Sequence, residues 1–256
     1  MPQRHVLRIV ADSAELAAVA ADEFVRQTTK AVAVHGRCAV ALAGGSTPFA
    51  LYERLARRCL DSVPWDRIHF FWSDERHVAP DHEDSNFRAA KHAMFDGVPV
   101  ADDHVHRIRT ELPDAAAAAA DYERTLRDFF NLTDRQWPVF DLVLLGMGAD
   151  GHTASLFPES DALNNGDRLV LAPWVTKLGT YRITLSIPVL NHAAQVIFLV
   201  SGREKAQTLQ AVLNGPSQPQ QLPAQAIRPK TGRLLWLVDR DAASQLPPPR
   251  FQEDNP

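Results

Sequence analysis

The sequence predicts a doubly wound α/β fold, in which a mainly parallel sheet is covered by helices on both faces. Short apolar segments rich in β-branched residues alternate with segments of helical periodicity along the chain. Parallel strands need long crossovers that return over the sheet, and the helical segments supply them. With 256 residues, 45% of them hydrophobic, the chain can bury one large core. Residues 1–246 are therefore expected to form a single domain, followed by a flexible C-terminal tail at 247–256.

Each predicted strand is a short run in which apolar, β-branched or aromatic residues dominate. In chain order these runs are residues 6–10, 38–43, 68–72, 140–145, 169–175, 181–185, 196–200 and 234–238. Helices are predicted where apolar residues recur at helical spacing, at residues 14–34, 49–60, 87–95, 114–130 and 204–213. The helix at 114–130 opens with Asp114 after Pro113, which is typical of a helix start. Residues 214–229, rich in Pro and Gln, are expected to be irregular.

Composition narrows the functional classes. The net charge of −4 is small and no run of Lys and Arg stands out, which argues against a nucleic-acid partner. No segment approaches the roughly 20 apolar residues of a membrane span, and no signal peptide is recognised at the start. Cys38 and Cys59 form no C-x-x-C pattern and are expected to be buried thiols. The expectation is a soluble cytoplasmic protein without a membrane partner, either a monomer or a small homo-oligomer.

In an open α/β sheet, ligands bind beyond the carboxyl ends of the strands, so the polar residues at those ends matter most. After the strand that ends at residue 43, the chain reads GGSTP, from Gly44 to Pro48. Gly44 and Gly45 allow close approach of a ligand, Ser46 or Thr47 can cap the helix, and a helix start favours an anion. This stretch predicts a phosphate site. It lacks the Gly-Lys-Ser/Thr ending of a nucleotide P-loop, which disfavours an NTPase.

Two further strand ends carry cations. The strand at 68–72 is followed by SDERH, in which Arg76 can hold a phosphate bidentately and Asp74 can orient a neighbour. The strand at 196–200 is followed by SGREK, which places Lys205 in a first helical turn, where the helix dipole favours an anion. A lysine is unfavourable at a helix start, and an anionic ligand beside Lys205 would resolve this conflict. At both strand ends the alternative is that the charged side chains are simply solvated. Residues 84–87 are expected to cap the next helix.

The fourth strand end reads GMGADGHTASLFP, from Gly146 to Pro158, and contains the G-x-G-x-x-G pattern of dinucleotide-binding turns. A dinucleotide site needs a long helix after Gly151 and an acid at the end of the next strand. Pro158 allows only a short turn and the next strand ends without an acid, so we reject that interpretation. What remains is a glycine-rich turn that displays Asp150 and His152, and a histidine there is well placed for general-base work.

Taken together, the stretches AGGSTP at 43–48, WSDERHV at 72–78, GMGADGHTASLFP at 146–158 and SGREK at 201–205 resemble the 6-phosphogluconolactonase family. Their order and spacing match from the first helix to the last strand. The resemblance implies hydrolysis of 6-phospho-D-glucono-1,5-lactone to 6-phospho-D-gluconate in the pentose phosphate pathway. It also implies the Rossmann-like fold shared with the glucosamine-6-phosphate and ribose-5-phosphate isomerases, and no metal or organic cofactor.

The expected mechanism uses His152 as the base that takes a proton from water as the water attacks the lactone carbonyl. Asp74 or Asp150 would orient the imidazole, and the sequence leaves that choice open. The N–H groups of Gly44 and Gly45 would stabilise the oxyanion.

The phosphate of the substrate would be held by Arg76, by Lys205 and by the helix start at Ser46 and Thr47. Arg182 would either contact the substrate or pair with a surface acid.

Two rival functions share parts of this pattern. Deaminases related to this family carry GHIAFNEP at the corresponding turn, with a carboxylate before the proline, where this chain has Phe157. Moving a proton between adjacent carbons needs more than one acid or base, whereas lactone hydrolysis needs one base for water, so Phe157 favours a lactonase. A sugar-phosphate sensor that binds without turnover is the other rival. One departure from lactonases is LGTY at 178–181, where a run of prolines is common, which leaves one pocket wall in doubt.

Overall fold

The computed structural model describes residues 5–247, and its strands form two sheets. In chain order the strands are β1 (Val6–Val10), β2 (Cys38–Leu42), β3 (Ile68–Trp72), β4 (Asp74–Arg76), β5 (Leu142–Leu145), β6 (Val170–Leu171), β7 (Trp174–Val175), β8 (Thr180–Leu185), β9 (Gln195–Val200) and β10 (Arg233–Asp239). The larger sheet has the order β1-β10-β9-β5-β2-β3, and all of its pairings are parallel. The predicted fold class is confirmed.

The α-helices of the described chain are α1 (Ser13–His35), α2 (Ser46–Arg58), α3 (Asn86–Ala93), α4 (Ala115–Phe130), α5 (Ile187–His192) and α6 (Ala206–Asn214). Local chemistry fixes several ends. Asp114 accepts a hydrogen bond from the Ala117 N–H at 2.7 Å and so begins α4 as predicted. Gly36 ends α1 in the left-handed conformation, with φ of 73°. The short helix α5 was not predicted from the sequence.

A smaller antiparallel sheet, with the order β4-β8-β6 and with β7 also paired to β8, corrects part of the predicted layout. The strand predicted at 169–175 is two short strands, β6 and β7. Pro173 lies between them and has no N–H to donate to a continuous ladder. The charged residues after β3, interpreted as a loop from the sequence, form strand β4.

The core lies between the large sheet and its helices. Strands β2, β5 and β9 are buried along their whole length, and Phe198 stacks on Trp236 with ring centroids 3.8 Å apart. Cys38 is fully buried as expected, and burial raises the pKa of its thiol, whereas Cys59 is only half-buried, contrary to the prediction. Among residues 5–247, no helix is long and apolar enough to cross a membrane. The predicted tail lies outside the described residues apart from Pro247.

Candidate active site

A cavity of about 430 Å³ opens where the carboxyl ends of β2, β3, β5 and β9 meet. Every predicted site residue except Asp150 lines this cavity, and Asp150 is hydrogen-bonded to His152, which lines it. The predicted members of the lining are Gly44, Gly45, Ser46, Thr47, Asp74, Arg76, His152, Arg182 and Lys205. The volume lies in the range of small-molecule sites, roughly 300 to 1,000 Å³.

The turn from β2 into α2 forms one side of the cavity. Gly45 has φ of 100°, a conformation that favours glycine, and it is the N-cap of α2. Helix α2 begins at Ser46, and neither Ser46 nor Thr47 caps it, which corrects the prediction. Because no described side chain accepts from the first N–H groups of α2, they remain available to an anion.

The turn after β5 brings His152 and Asp150 together. Nδ1 of His152 lies 2.5 Å from Oδ1 of Asp150, and the His152 backbone N–H donates to the same oxygen at 3.2 Å. Gly148 is essential to this approach, because a Cβ there would lie 2.1 Å from His152 Nδ1 and 2.8 Å from Asp150 Oδ1. The glycine spacing that resembles a dinucleotide motif therefore serves side chains of the turn itself.

The carboxyl group of Asp150 is held in its charged form. Burial raises the pKa of Asp150, but hydrogen bonds from His152 and Lys177 outweigh burial and bring the pKa well below its usual value. An ionised carboxylate only accepts hydrogen bonds, so the proton between the two groups belongs to Nδ1 of His152. In the neutral imidazole, Nε2 is then the basic nitrogen.

The His152 ring also packs on an apolar face. It stacks on Phe157 with ring centroids 4.3 Å apart and an interplanar angle of 25°. Nζ of Lys177 lies 4.7 Å from the centroid of the same Phe157 ring and donates to Oδ2 of Asp150. Sequence reasoning missed Lys177: it lies on the connection between β7 and β8, and although residues 178–181 beside it were singled out, nothing in the sequence indicates its contact with Asp150.

The second acidic candidate, Asp74, is buried and has a different partner. Its Oδ2 accepts from the Ser155 hydroxyl at 2.7 Å. Its backbone carbonyl accepts from the Asn86 side chain at 3.0 Å. Of the two acids between which the sequence could not choose, only Asp150 is hydrogen-bonded to His152 within the described chain.

Two guanidinium groups lie side by side in the cavity wall. Arg76 of β4 is the register partner of Arg182 of β8. Nε and Nη1 of Arg182 are buried and have no hydrogen-bond partner among residues 5–247. Burial and then the neighbouring charge of Arg76 lower the pKa of Arg182. Two adjacent cations, one of them unsatisfied, form a site suited to a phosphate.

Lys205 lies at another part of the cavity wall. It ends the short 3-10 helix Arg203–Lys205 and precedes α6, rather than lying in its first turn as predicted. The preceding turn is anchored by Asp239, whose carboxylate accepts from the Ser201 hydroxyl at 2.5 Å and from the Gly202 N–H at 3.2 Å.

Glu75 and Asn86 were not predicted as parts of the site. Glu75 is buried rather than solvated, and it accepts from the backbone N–H groups of Arg76, Asn86 and Phe87 at 2.7–2.8 Å. Burial raises the pKa of Glu75 despite these bonds. The carboxylate joins β4 to the start of α3, which places Asn86 in the cavity lining. Ser85 caps α3, as the sequence indicates.

Comparison with known proteins places this chain in a family. The family model described as glucosamine-6-phosphate isomerases/6-phosphogluconolactonase matches residues 11–236. The chain belongs to this family. A protein from Synechocystis sp. named 6-phosphogluconolactonase is 46% identical over 220 residues, covering 86% of this chain and 89% of the relative. One of the same name from Nostoc sp. is 41% identical, covering 95% of this chain and 99% of the relative.

Solved structures give the same result. The structure of 6-phosphogluconolactonase from Trypanosoma brucei superimposes with a TM-score of 0.86 at 30% identity, covering 96% of this chain and all of the other. A monomeric glucosamine-6-phosphate deaminase superimposes with a TM-score of 0.77 at 20% identity, which shows the shared fold alone. These relatives confirm both the family and the enzyme class predicted from the sequence, a 6-phosphogluconolactonase.

Proposed function

We propose that this protein hydrolyses 6-phospho-D-glucono-1,5-lactone to 6-phospho-D-gluconate, a step of the pentose phosphate pathway. The observation that carries the proposal is one cavity lined both by His152, which Asp150 holds by a hydrogen bond, and by the unsatisfied guanidinium of Arg182. The first supplies a base for water and the second a partner for phosphate. The names of the relatives support the same substrate.

In this mechanism, Asp150 holds the Nδ1 proton of His152, and Nε2 takes a proton from water as the water oxygen attacks the lactone carbonyl carbon. The carbonyl oxygen becomes an oxyanion near the N–H groups of Gly44 and Gly45, which line the cavity. The tetrahedral intermediate then collapses. The ring C–O bond breaks, and the leaving ring oxygen takes the proton from Nε2. Asp74 lines the same cavity, but its Oδ2 accepts from Ser155, so we assign the orientation of His152 to Asp150 alone.

The phosphate of the substrate is assigned to Arg76 and Arg182, assisted by Lys205 and by the start of α2 at Ser46 and Thr47. Binding the phosphate away from the reacting carbon fixes where the carbonyl lies relative to His152. Such binding energy is converted into correct placement in the transition state.

The lactone also hydrolyses spontaneously, so the rate with the protein must exceed this background rate. Freshly generated lactone is mixed with the purified protein, and the rate is compared with that of buffer alone. We expect His152→Ala to lower kcat by about 10² to 10⁴, the usual contribution of a general base. His92→Ala, at an exposed histidine of α3, is the matched control and should keep the parent rate.

Three results would contradict the proposal. Unchanged turnover in His152→Ala would remove that residue from the mechanism. Formation of fructose-6-phosphate and ammonia from glucosamine-6-phosphate would make the protein a deaminase. Tight binding of 6-phosphogluconate without any acceleration of lactone hydrolysis would make it a sensor.

The proposal treats residues 1–246 as one lactonase domain that needs no metal or organic cofactor. A cytoplasmic location, the absence of nucleic-acid and membrane partners, and a monomeric or small homo-oligomeric state remain predictions from the sequence.

A further inference from the structure

Lys177 connects the β7–β8 hairpin to the turn that carries His152. Its Nζ donates to Oδ2 of Asp150 and lies 4.7 Å from the centroid of the Phe157 ring. The side chain is 51% exposed, so it does not stabilise the core by burial. It reaches a residue 27 positions earlier in the chain. An exposed lysine with both contacts inside the proposed site calls for a role there.

Four side chains form a closed set of contacts, which we term the imidazole clamp: His152, Asp150, Lys177 and Phe157. Oδ1 of Asp150 accepts from the Nδ1 and backbone N–H of His152, and Oδ2 accepts from Lys177. The carboxylate is therefore held from both sides against rotation. Phe157 is only 7% exposed and supports the face of the imidazole at 4.3 Å between centroids.

Lys177 is the member of the clamp that comes from outside the turn at 146–158. Removing its ammonium would leave Oδ2 of Asp150 without a partner in the described chain, while the other three members of the clamp would all remain present. The carboxylate could then turn toward water, and its bond to Nδ1 would weaken.

We infer that Lys177 is a positioning residue: it fixes the carboxylate of Asp150, which in turn holds His152 in the Nδ1–H tautomer with Nε2 free to take a proton from water. This inference rests on the proposed lactonase function. Lys177 does not touch the reacting atoms in this scheme.

A direct role in binding is the competing explanation, because Lys177 also lines the cavity. The two roles affect different kinetic parameters. A positioning residue acts on the chemical step and lowers kcat, whereas a residue that binds the substrate anion uniformly raises KM and leaves kcat unchanged.

The kinetic test uses Lys177→Met, which keeps the length of the side chain and removes its charge. We expect kcat to fall about fivefold, the upper end for an exposed ion pair, with KM little changed. Lys177→Arg should recover most of the rate, because a guanidinium can donate to the same carboxylate oxygen. Lys30→Met, at an exposed lysine of α1, makes the same chemical change outside the cavity lining and should have no effect.

A spectroscopic test needs no turnover. The proton on Nδ1 of His152, held by a carboxylate at 2.5 Å, should give a far-downfield proton resonance in water, identified by its loss in His152→Gln. In Lys177→Met this resonance should broaden or disappear through faster exchange with solvent, and in Lys177→Arg it should persist.

The two tests separate the possible failures. Absence of lactone hydrolysis in the parent protein would refute the proposed function. The resonance of the His152 Nδ1 proton would still test the imidazole clamp in that case, because it needs no turnover. An unaltered resonance in Lys177→Met, or a higher KM with unchanged kcat, would overturn the positioning role of Lys177.

Discussion

The replacement Gly148→Ala tests the site geometry with a single methyl group. A Cβ at this position would lie 2.1 Å from His152 Nδ1 and 2.2 Å from His152 Cε1, where ordinary contacts begin at 3.4 Å. The imidazole must therefore move by more than about 1 Å, and a misplacement of that size can cost about 10² in rate. We expect kcat to fall by about 10², because Nε2 is displaced from the attacking water.

Stability and substrate affinity should respond much less. The imidazole is only part-buried, with 29% of the side chain exposed, so it can swing away without unfolding the turn. The guanidinium groups of Arg76 and Arg182 belong to other strands and are not displaced, so KM should stay close to the parent value.

The assay measures kcat and KM on fresh lactone together with the melting temperature. Gly166→Ala is the matched control, because a Cβ there has nothing within 4 Å and the residue does not lie in the left-handed region. It should match the parent in all three measurements. A folded Gly148→Ala protein with the parent kcat would refute the argument that the position of His152 limits the rate.

Two further predictions concern charges outside the His152–Asp150 pair. Arg182→Met should raise KM by about tenfold or more, the value of a lost charge-assisted contact. The same change should raise the melting temperature, because it removes an unsatisfied buried guanidinium. An unchanged KM would exclude Arg182 from the anion site. Burial and neighbouring histidines lower the pKa of His69 and of His106 to about 4 from 6.5. Between pH 4 and pH 6.5 the folded state therefore binds fewer protons than the unfolded state, and the melting temperature should fall as the pH drops through this range. His106→Phe, which keeps the stacking on Phe71, should flatten that fall in calorimetric scans, and an unchanged slope would contradict the assignment.

The parts of the site that lie at the ends of parallel strands could be predicted from the sequence. Their signals are local: a buried apolar run sets the strand, and glycine or a charged residue follows within a few positions. Because parallel strands end at one edge of a sheet, Gly44, Arg76, His152 and Lys205 are expected at that edge, and the neighbouring positions of β9, β5, β2 and β3 bring them together. The structure places all four in the lining of one cavity.

The contacts that the sequence did not indicate are those between distant segments. Glu75 in SDERH resembles solvated loop charge, and its burial is possible only because N–H groups eleven and twelve residues later satisfy it. Lys177 reaches Asp150 from the connection between β7 and β8, and no periodicity or motif indicates that approach. The expected cap by Ser46 or Thr47 was wrong for a local reason, since Gly45 takes the N-cap position and no described side chain caps the helix.

The G-x-G-x-x-G pattern shows how one spacing can serve two kinds of chemistry. In a dinucleotide turn, the glycines clear space so that the backbone approaches a pyrophosphate from outside the chain. In this protein, Gly148 clears space for His152 and Asp150 of the same turn, and the φ of 81° at Gly151 turns the chain just before His152. The room that Gly148 leaves is taken by an imidazole and its carboxylate. A glycine pattern therefore indicates where a backbone needs room, and the residues between the glycines decide which group uses it.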